Sequence, residues 1–335
     1  MKTALFWNQL EDNKVQCSLC PHNCKISEGK RGICGVRKNR NGELVAETYG
    51  EICSAGFDPI EKKPLYHFYP GWNIFSVGSI GCNLHCRFCQ NWEISQTSPD
   101  EFDYLRTYAP EQLVSIARDH KNNAGIAYTY NEPTVWFEFM FDIASLAKEK
   151  NLKNVLVSNG FISPEPLEKS FGVIDAYSID LKAFDDNFYR SLTSSTLEPI
   201  KENLKRIRKK GKHLEITNLV ITGENDDPVK FKEMLKWIAG ELGPGTVLHI
   251  SRYYPSYKMN NPATSNEVLM ELFTLAQEYL DYPYLGNLHN EKGQTTYCPK
   301  CASLVITRKG YHAHLEKIDI NGKCSHCGEQ IVVLS

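Results

Sequence analysis

From Trp72 onward, short apolar runs alternate with longer segments in which apolar residues return at helical spacing. The apolar runs Ile74–Ile80, Gly125–Tyr130, Lys153–Ser158, Val173–Leu181, His213–Ile221 and Thr246–Ser251 predict strands. Between and after them, Pro110–Lys121, Thr134–Lys150, Pro164–Phe171, Leu197–Lys210, Pro228–Leu242 and Ser265–Leu280 predict helices, with Pro in a first turn and Ser265 as an N-cap. Strand followed by helix, repeated about six times, predicts a parallel sheet. No GxGxxG follows the first strand, so the main support for a dinucleotide-binding sheet is missing. The expectation is therefore an α/β chain folded as a partial (β/α)6 TIM-type barrel, with its active site at the C-terminal ends of the strands. The stretch to Gly71 is turn-rich, with one strand candidate, Glu43–Thr48, and no long helix. The pattern predicts three parts: an N-terminal four-cysteine metal-binding segment, 1–71; the partial barrel, 72–285; and a small four-cysteine module, 286–335.

Composition narrows the class. Hydrophobic residues make up 41% and charged residues 23% of 335, as in a soluble globular protein. A net charge of −2 gives no whole-protein signal for nucleic acid or an anionic membrane, and the basic run Lys205–Lys212 reads as a solvated helix end. No apolar run approaches the roughly 18 residues of a membrane span. Met1–Leu10, followed by Glu11 and Asp12, is too short and too soon charged for a signal peptide. The expected location is cytoplasmic.

The 12 cysteines change the picture most. They fall at 17, 20, 24 and 34; at 53; at 82, 86 and 89; and at 298, 301, 324 and 327. In a cytosolic chain such tight spacing points to metal rather than disulfides. In the loop Gly81–Asn91, Cys82-x3-Cys86-x2-Cys89 can wrap three corners of an iron–sulfur cube. A fourth cysteine is missing nearby, which leaves one iron open to chelate the amino and carboxylate groups of S-adenosylmethionine. One electron then breaks the bond from sulfur to the 5′ carbon and yields a 5′-deoxyadenosyl radical. A structural zinc loop would instead need a closed four-ligand set. Phe88 fits as an apolar shield for cluster and adenine.

Cys82-x3-Cys86-x2-Cys89 with Phe88 resembles the radical S-adenosylmethionine (radical SAM) superfamily. Asp58–Leu65, His67–Gly71 and Cys89–Ser95 resemble the radical SAM member of the AmmeMemoRadiSam system, a group commonly described as similar to pyruvate formate-lyase activating enzyme. The resemblance implies the radical SAM fold and a set of cofactor contacts. Asn131 and Glu132 stand where related enzymes carry a Gly-Gly-Glu stretch that meets the methionine amino group, with Tyr130 and Asn131 replacing the glycines. Ser158 and Asn159 end the third predicted strand. Asp180 and Lys182, on one face of the fourth, match groups that approach the ribose and carboxylate, a plain salt bridge being the alternative. Asn218, His249 and Arg252 on the fifth and sixth strands are further candidates for cofactor or substrate contact. A structural role is the alternative for His249 and Arg252.

Cys298-x2-Cys301 and Cys324-x2-Cys327, with strands expected at Leu304–Arg308 and Leu315–Ile318, resemble a zinc ribbon or rubredoxin-like knuckle pair. Zinc is the expected ion, with a redox iron as rival. Cys17-x2-Cys20-x3-Cys24-x9-Cys34 fits an auxiliary [4Fe–4S] cluster or a structural zinc ion, and the spacing does not choose between them.

The expected function is reductive cleavage of S-adenosylmethionine and hydrogen abstraction from a protein or small molecule. Activation of a glycyl-radical enzyme is one alternative. A non-catalytic iron–sulfur or zinc carrier or scaffold is the alternative from another class, though a carrier needs no open iron. The expected partners are a low-potential electron donor of flavodoxin or ferredoxin type and Memo-like proteins of the AmmeMemoRadiSam system.

Overall fold

The computed structural model describes residues 2–288 and 293–334. Its main sheet has eight strands, β1 (Ser54–Pro59), β2 (Asn73–Gly78), β3 (Asn123–Tyr128), β4 (Lys153–Ser158), β5 (Ala176–Asp180), β6 (His213–Val220), β7 (Val247–Arg252) and β8 (Tyr282–Gly286). Strands adjacent in sequence are adjacent in the sheet throughout. β1 runs antiparallel to β2, and every other pairing is parallel. The order never reverses, so the sheet has no doubly wound switch point.

Helices α1 (Pro110–Asp119), α2 (Phe137–Glu149), α3 (Pro164–Ser170), α4 (Glu198–Lys209), α5 (Pro228–Trp237) and α6 (Asn266–Gln277) lie where apolar periodicity predicts them. Ser265 caps α6 by accepting from the Val268 N–H. The expected helix 134–150 opens instead as a tight turn, Pro133–Trp136, before α2. Likewise α5 ends at Trp237, and Ile238–Leu242 widens to a π-turn. Two strands of the main sheet escaped the sequence pattern. β1 holds Gly56, Asp58 and Pro59 rather than an apolar run, and β8 holds Pro283, which is tolerated because β8 is an edge strand.

The stretch before β1 has more structure than its sequence shows. One expected strand appears as Glu43–Ala46, pairing with Lys2–Thr3 and Arg37–Arg40. Trp7–Gln9, Val15–Cys17 and Lys25–Ile26 form a second small sheet. These strands are two to four residues long, too short to carry a period.

After β1 the chain crosses one face of the main sheet. Ile60, Leu65, Phe68 and Tyr69 form a buried cluster with Ile74, Ala127, Val155 and Ala176 of β2–β5. Small side chains on that face leave room for the segment. The Tyr66 and His67 N–H groups each donate to Glu215 of β6 at 2.8 Å. The C-terminal hairpin pairs Leu304–Lys309 with His312–Leu315, turning at Gly310. Its second strand thus lies earlier than Leu315–Ile318. It docks on the same crossing segment: Val333 N–H donates to His67 O at 2.8 Å, and Arg308 donates to Tyr66 O at 2.7 Å while stacking 4.1 Å from the Tyr66 ring centre. Among the described residues, no helix is long and apolar enough to cross a membrane.

Candidate active site

The cysteine loop leaves the C-terminal end of β2. Gly81 has φ 82°, and a Cβ there would meet Cys34 O at 2.6 Å, so only glycine fits the turn. The loop is held by bonds that do not involve sulfur. Asn83 donates to Phe161 O at 2.6 Å and accepts from Asn159 at 2.9 Å. The His85 and Arg87 N–H groups each donate at 2.9 Å to the carbonyls of Thr193 and Leu192. Cys82 Sγ accepts from the Leu84 N–H at 3.4 Å and lies 3.8 Å from the Asn159 amide nitrogen.

Burial pushes the Cys86 thiol up to about 12, against the pull of Lys182, and holds Cys82 and Cys89 above the ordinary thiol range. A bound cationic centre is what would keep such sulfurs as thiolates. Soft sulfur donors, amide donors aimed at one of them and a nearby lysine fit an iron–sulfur cluster. Cys53 is not drawn in: its thiol donates to Ser79 O at 2.9 Å and approaches Gly78 O at 3.4 Å.

The ends of β3, β4 and β5 face this loop. Tyr130, in the position of an expected glycine, has the left-handed φ of 72° that glycine would supply. Its hydroxyl donates to Asp58 at 2.8 Å, Lys63 Nζ lies 4.5 Å from its ring centre, and Asn91 donates to its carbonyl at 2.7 Å. Desolvation would raise Asp58, but hydrogen bonds from Lys62, Lys63 and Tyr130 hold it well below the carboxylate range. Asn131 ties the strand to the loop, accepting from Ser79 N–H and Trp136 Nε1 and donating to Gly81 O at 2.8 Å.

Glu132 is buried and heavily bonded. Its Oε1 accepts from the Thr134 N–H and hydroxyl and the Ser158 hydroxyl at 3.0, 2.6 and 2.8 Å; its Oε2 accepts from the Asn159 N–H at 2.8 Å. Burial raises its pKa and these bonds oppose the rise. It caps the turn Pro133–Trp136, and Oε2 retains one lone pair for a further donor. Lys182 Nζ bonds Asp180 at 2.8 Å. Burial alone would lower Lys182, but Asp180 and Cys86 outweigh it and raise it. Phe88 is buried, with its ring centre 5.8 Å from that of Phe188 and 5.9 Å from Lys182 Nζ.

Three candidates lie elsewhere. Asn218 alternates with Glu215 and Thr217 along β6, so it takes the opposite face of the sheet. Its amide nitrogen donates to Leu181 O at 2.7 Å and approaches Met234 Sδ of α5 at 3.8 Å, while its Oδ1 has no partner among the described residues. His249 bonds Glu215 at 2.7 Å under the Tyr66 ring. Glu215 also meets His213 at 2.9 Å; desolvation would raise it, yet the two histidines hold it well below its ordinary range. His249 and Arg252 both line a cavity of about 550 Å³, with Glu61, Gln90, Ser251 and Tyr311 among its other walls. Gln90 directly follows Cys89, so the cavity adjoins the cysteine loop.

Glu61 is the residue sequence reasoning missed; its motif Asp58–Leu65 stood out, but nothing local showed that the chain would bury it. Its Oε1 accepts from the Gly71 N–H at 2.7 Å and its Oε2 has no partner. Burial pushes its carboxyl up to about 7, with Arg308 opposing. A raised folded pKa stabilises the fold below the ordinary value of 4.5 and loses that contribution as pH rises through about 7. Over that range the loss amounts to about 3 kcal/mol. In urea unfolding from pH 5 to pH 8, Glu61→Gln should flatten the decline relative to the unsubstituted protein. Parallel pH profiles would contradict the buried, cavity-facing carboxyl.

Residues 77–238 match the Radical SAM superfamily model. An uncharacterized protein of Methanocaldococcus jannaschii is 44% identical over the full length of both chains. The 4-hydroxyphenylacetate decarboxylase activating enzyme of Clostridioides difficile is 24% identical over 53% of this chain and 54% of its own. The pyruvate formate-lyase-activating enzyme of Clostridium pasteurianum is 24% identical over 52% of this chain and 75% of its own. A radical SAM methyltransferase from Sphaerobacter thermophilus shares the fold, with a TM-score of 0.51 and 15% identity over 65% of this chain and 67% of that one. The chain belongs to the radical SAM superfamily. It is an enzyme, a radical generator of the activase-like kind, and membership implies a [4Fe–4S] cluster and S-adenosylmethionine.

Proposed function

We propose that Cys82, Cys86 and Cys89 hold the [4Fe–4S] cluster, that S-adenosylmethionine binds across the ends of β3–β5, and that a substrate in the adjoining cavity loses a hydrogen atom. The cluster, when bound, supplies the electron that splits S-adenosylmethionine into methionine and a 5′-deoxyadenosyl radical. The observation that carries this reading is the convergence of Asn159 on Cys82 at 3.8 Å with Glu132 bonded to the same Asn159. One carboxylate, one strand end and one cysteine thereby form a single bonded unit.

The chain's own residues then have distinct tasks. Glu132 offers the free lone pair of Oε2 to the cationic amino group of S-adenosylmethionine. Ser158 and Asn159 hold that carboxylate, Asn131 fixes the loop, and Phe88 screens the cluster. The Asp180–Lys182 pair beside Cys86 meets the ribose and the carboxylate. Arg252 and Glu61 face the substrate, and His249 positions the crossing segment through Glu215. The sheet curls as a partial (β/α)6 barrel, preceded in the chain by the metal-binding segment 1–71 and followed by the four-cysteine module 286–335, which holds a zinc ion.

The substrate is a small molecule or a protein side chain of a size to enter about 550 Å³. A low-potential donor of flavodoxin or ferredoxin type supplies the electron. The motifs Asp58–Leu65 and His67–Gly71 support placement beside the radical SAM member of the AmmeMemoRadiSam system, with a Memo-like partner. A glycyl-radical enzyme is the alternative substrate, favoured by the two activating-enzyme relatives at 24% identity. Deuterated candidate substrates test the reading: deuterium should appear in 5′-deoxyadenosine with the true substrate. Reduced, reconstituted protein that consumes no S-adenosylmethionine under any condition would refute it.

A further inference from the structure

Cys17, Cys20, Cys24 and Cys34 surround a small cavity whose walls include Gly32, Arg37 and Thr134. A Cβ at Gly32 would stand 3.2 Å from Ile26 and 3.7 Å from Cys24 Sγ, so even a methyl group would crowd the wall. Arg37 is 1% exposed and bonds both oxygens of Glu138, at 2.9 and 3.0 Å. Its Nε, also buried, has no partner. A buried, charged N–H donor left unmade is costly unless an acceptor fills the cavity.

The spacing of the sulfurs chooses between the two metals that suit four thiolates. Tetrahedral zinc, with Zn–S near 2.3 Å, needs its thiolates about 3.8 Å apart. Cys298, Cys301, Cys324 and Cys327 meet that need: all four sulfurs lie within 4.8 Å of one another, with Cys298–Cys327 at 3.4 Å and Cys301–Cys324 at 3.7 Å. Among the described residues no three of the N-terminal cysteines gather so closely. Neither do Cys82, Cys86 and Cys89. The N-terminal set, like the radical SAM loop, therefore lacks the tight grouping of the C-terminal four. In an iron–sulfur cube each thiolate sits on a different iron, so the sulfurs stand well apart.

We propose that Cys17, Cys20, Cys24 and Cys34 hold a second [4Fe–4S] cluster, fully closed by cysteine, whose sulfur accepts the Arg37 Nε–H. The site abuts the catalytic loop. Gly81 lies against Cys34 O, and His22, between Cys20 and Cys24, contacts Asn83 O at 2.7 Å. No iron of a four-thiolate cluster is free to chelate S-adenosylmethionine, so its spectrum should ignore that molecule.

Anaerobically prepared full-length protein should contain about eight iron atoms and about one zinc per chain. Reduced with dithionite, it should show two electron paramagnetic resonance signals, of which S-adenosylmethionine alters one. Cys17→Ala/Cys24→Ala should lose about four irons and the unresponsive signal while keeping the responsive one. About four irons with two zinc ions in the unsubstituted protein would overturn the proposal whether or not the variant folds. That result would leave the catalytic cluster in place, whereas loss of the responsive signal in the unsubstituted protein would count against the radical SAM site instead.

Discussion

Cys86→Ala should reduce 5′-deoxyadenosine release from anaerobically reconstituted, dithionite-reduced protein to background. Cys86 is the proposed middle ligand of the loop, and its removal would leave two sulfurs for a cluster proposed to rely on three. The surrounding fold should survive, because the backbone bonds of His85 and Arg87 to Thr193 and Leu192, and the amide bonds of Asn83, involve no sulfur. Replacing a buried thiol by a methyl group leaves only a small cavity, worth about 1 kcal/mol. Lost activity with retained secondary structure is therefore the expected pair of results, read by product analysis and circular dichroism. The variant should also lose the signal that responds to S-adenosylmethionine. Continued 5′-deoxyadenosine production by Cys86→Ala would remove the assignment of the loop.

How far the sequence foretold this arrangement depended on the range of each signal. The parallel sheet was legible because β2–β7 are apolar runs separated by long helical periods, and Lys153–Ser158 matches its expected bounds. β8 was hidden by Pro283 and β1 by its glycine, aspartate and proline, since an edge strand needs no apolar run. The convergence of Cys298, Cys301, Cys324 and Cys327 was legible from spacing alone, because residues that gather at one centre here lie close in sequence. Spacing in sequence says little about spacing between sulfurs, so the choice between zinc and cluster was not legible there. Glu61 and Glu215 were opaque for another reason: their burial comes from a segment that crosses the sheet about 150 residues away from β6 in the chain, as the bonds from Tyr66 and His67 to Glu215 show. Tyr130 shows the reverse case. The missing glycine looked like a departure from the family pattern, yet the backbone keeps a positive φ there. The strain, about 1–2 kcal/mol, is offset by the bond to Asp58 and the Lys63 contact.

Glu132→Gln should weaken S-adenosylmethionine binding about ten- to a hundredfold while leaving iron content unchanged. Every bond that Glu132 makes is one it accepts: three at Oε1 from Thr134 and Ser158, and one at Oε2 from Asn159. A glutamine oxygen can replace Oε1, but its NH2 then confronts the Asn159 N–H, donor against donor. Asn159 must shift, and its amide is the group 3.8 Å from Cys82 Sγ and 2.9 Å from Asn83. The substitution also removes the negative charge proposed to face the cofactor's ammonium. Two losses act on one ligand, the charge-assisted bond and the placement of Asn159, and neither removes a cysteine sulfur. The iron should stay because the three sulfurs and their backbone supports are intact. Glu132→Asp, which keeps the charge but draws it back by one methylene, separates the two losses. It should retain more affinity than Glu132→Gln if charge dominates, and no more if the position of Asn159 dominates. Affinity is read by equilibrium binding and turnover by 5′-deoxyadenosine release. Undiminished binding and turnover in Glu132→Gln would confine Glu132 to capping the turn at Pro133.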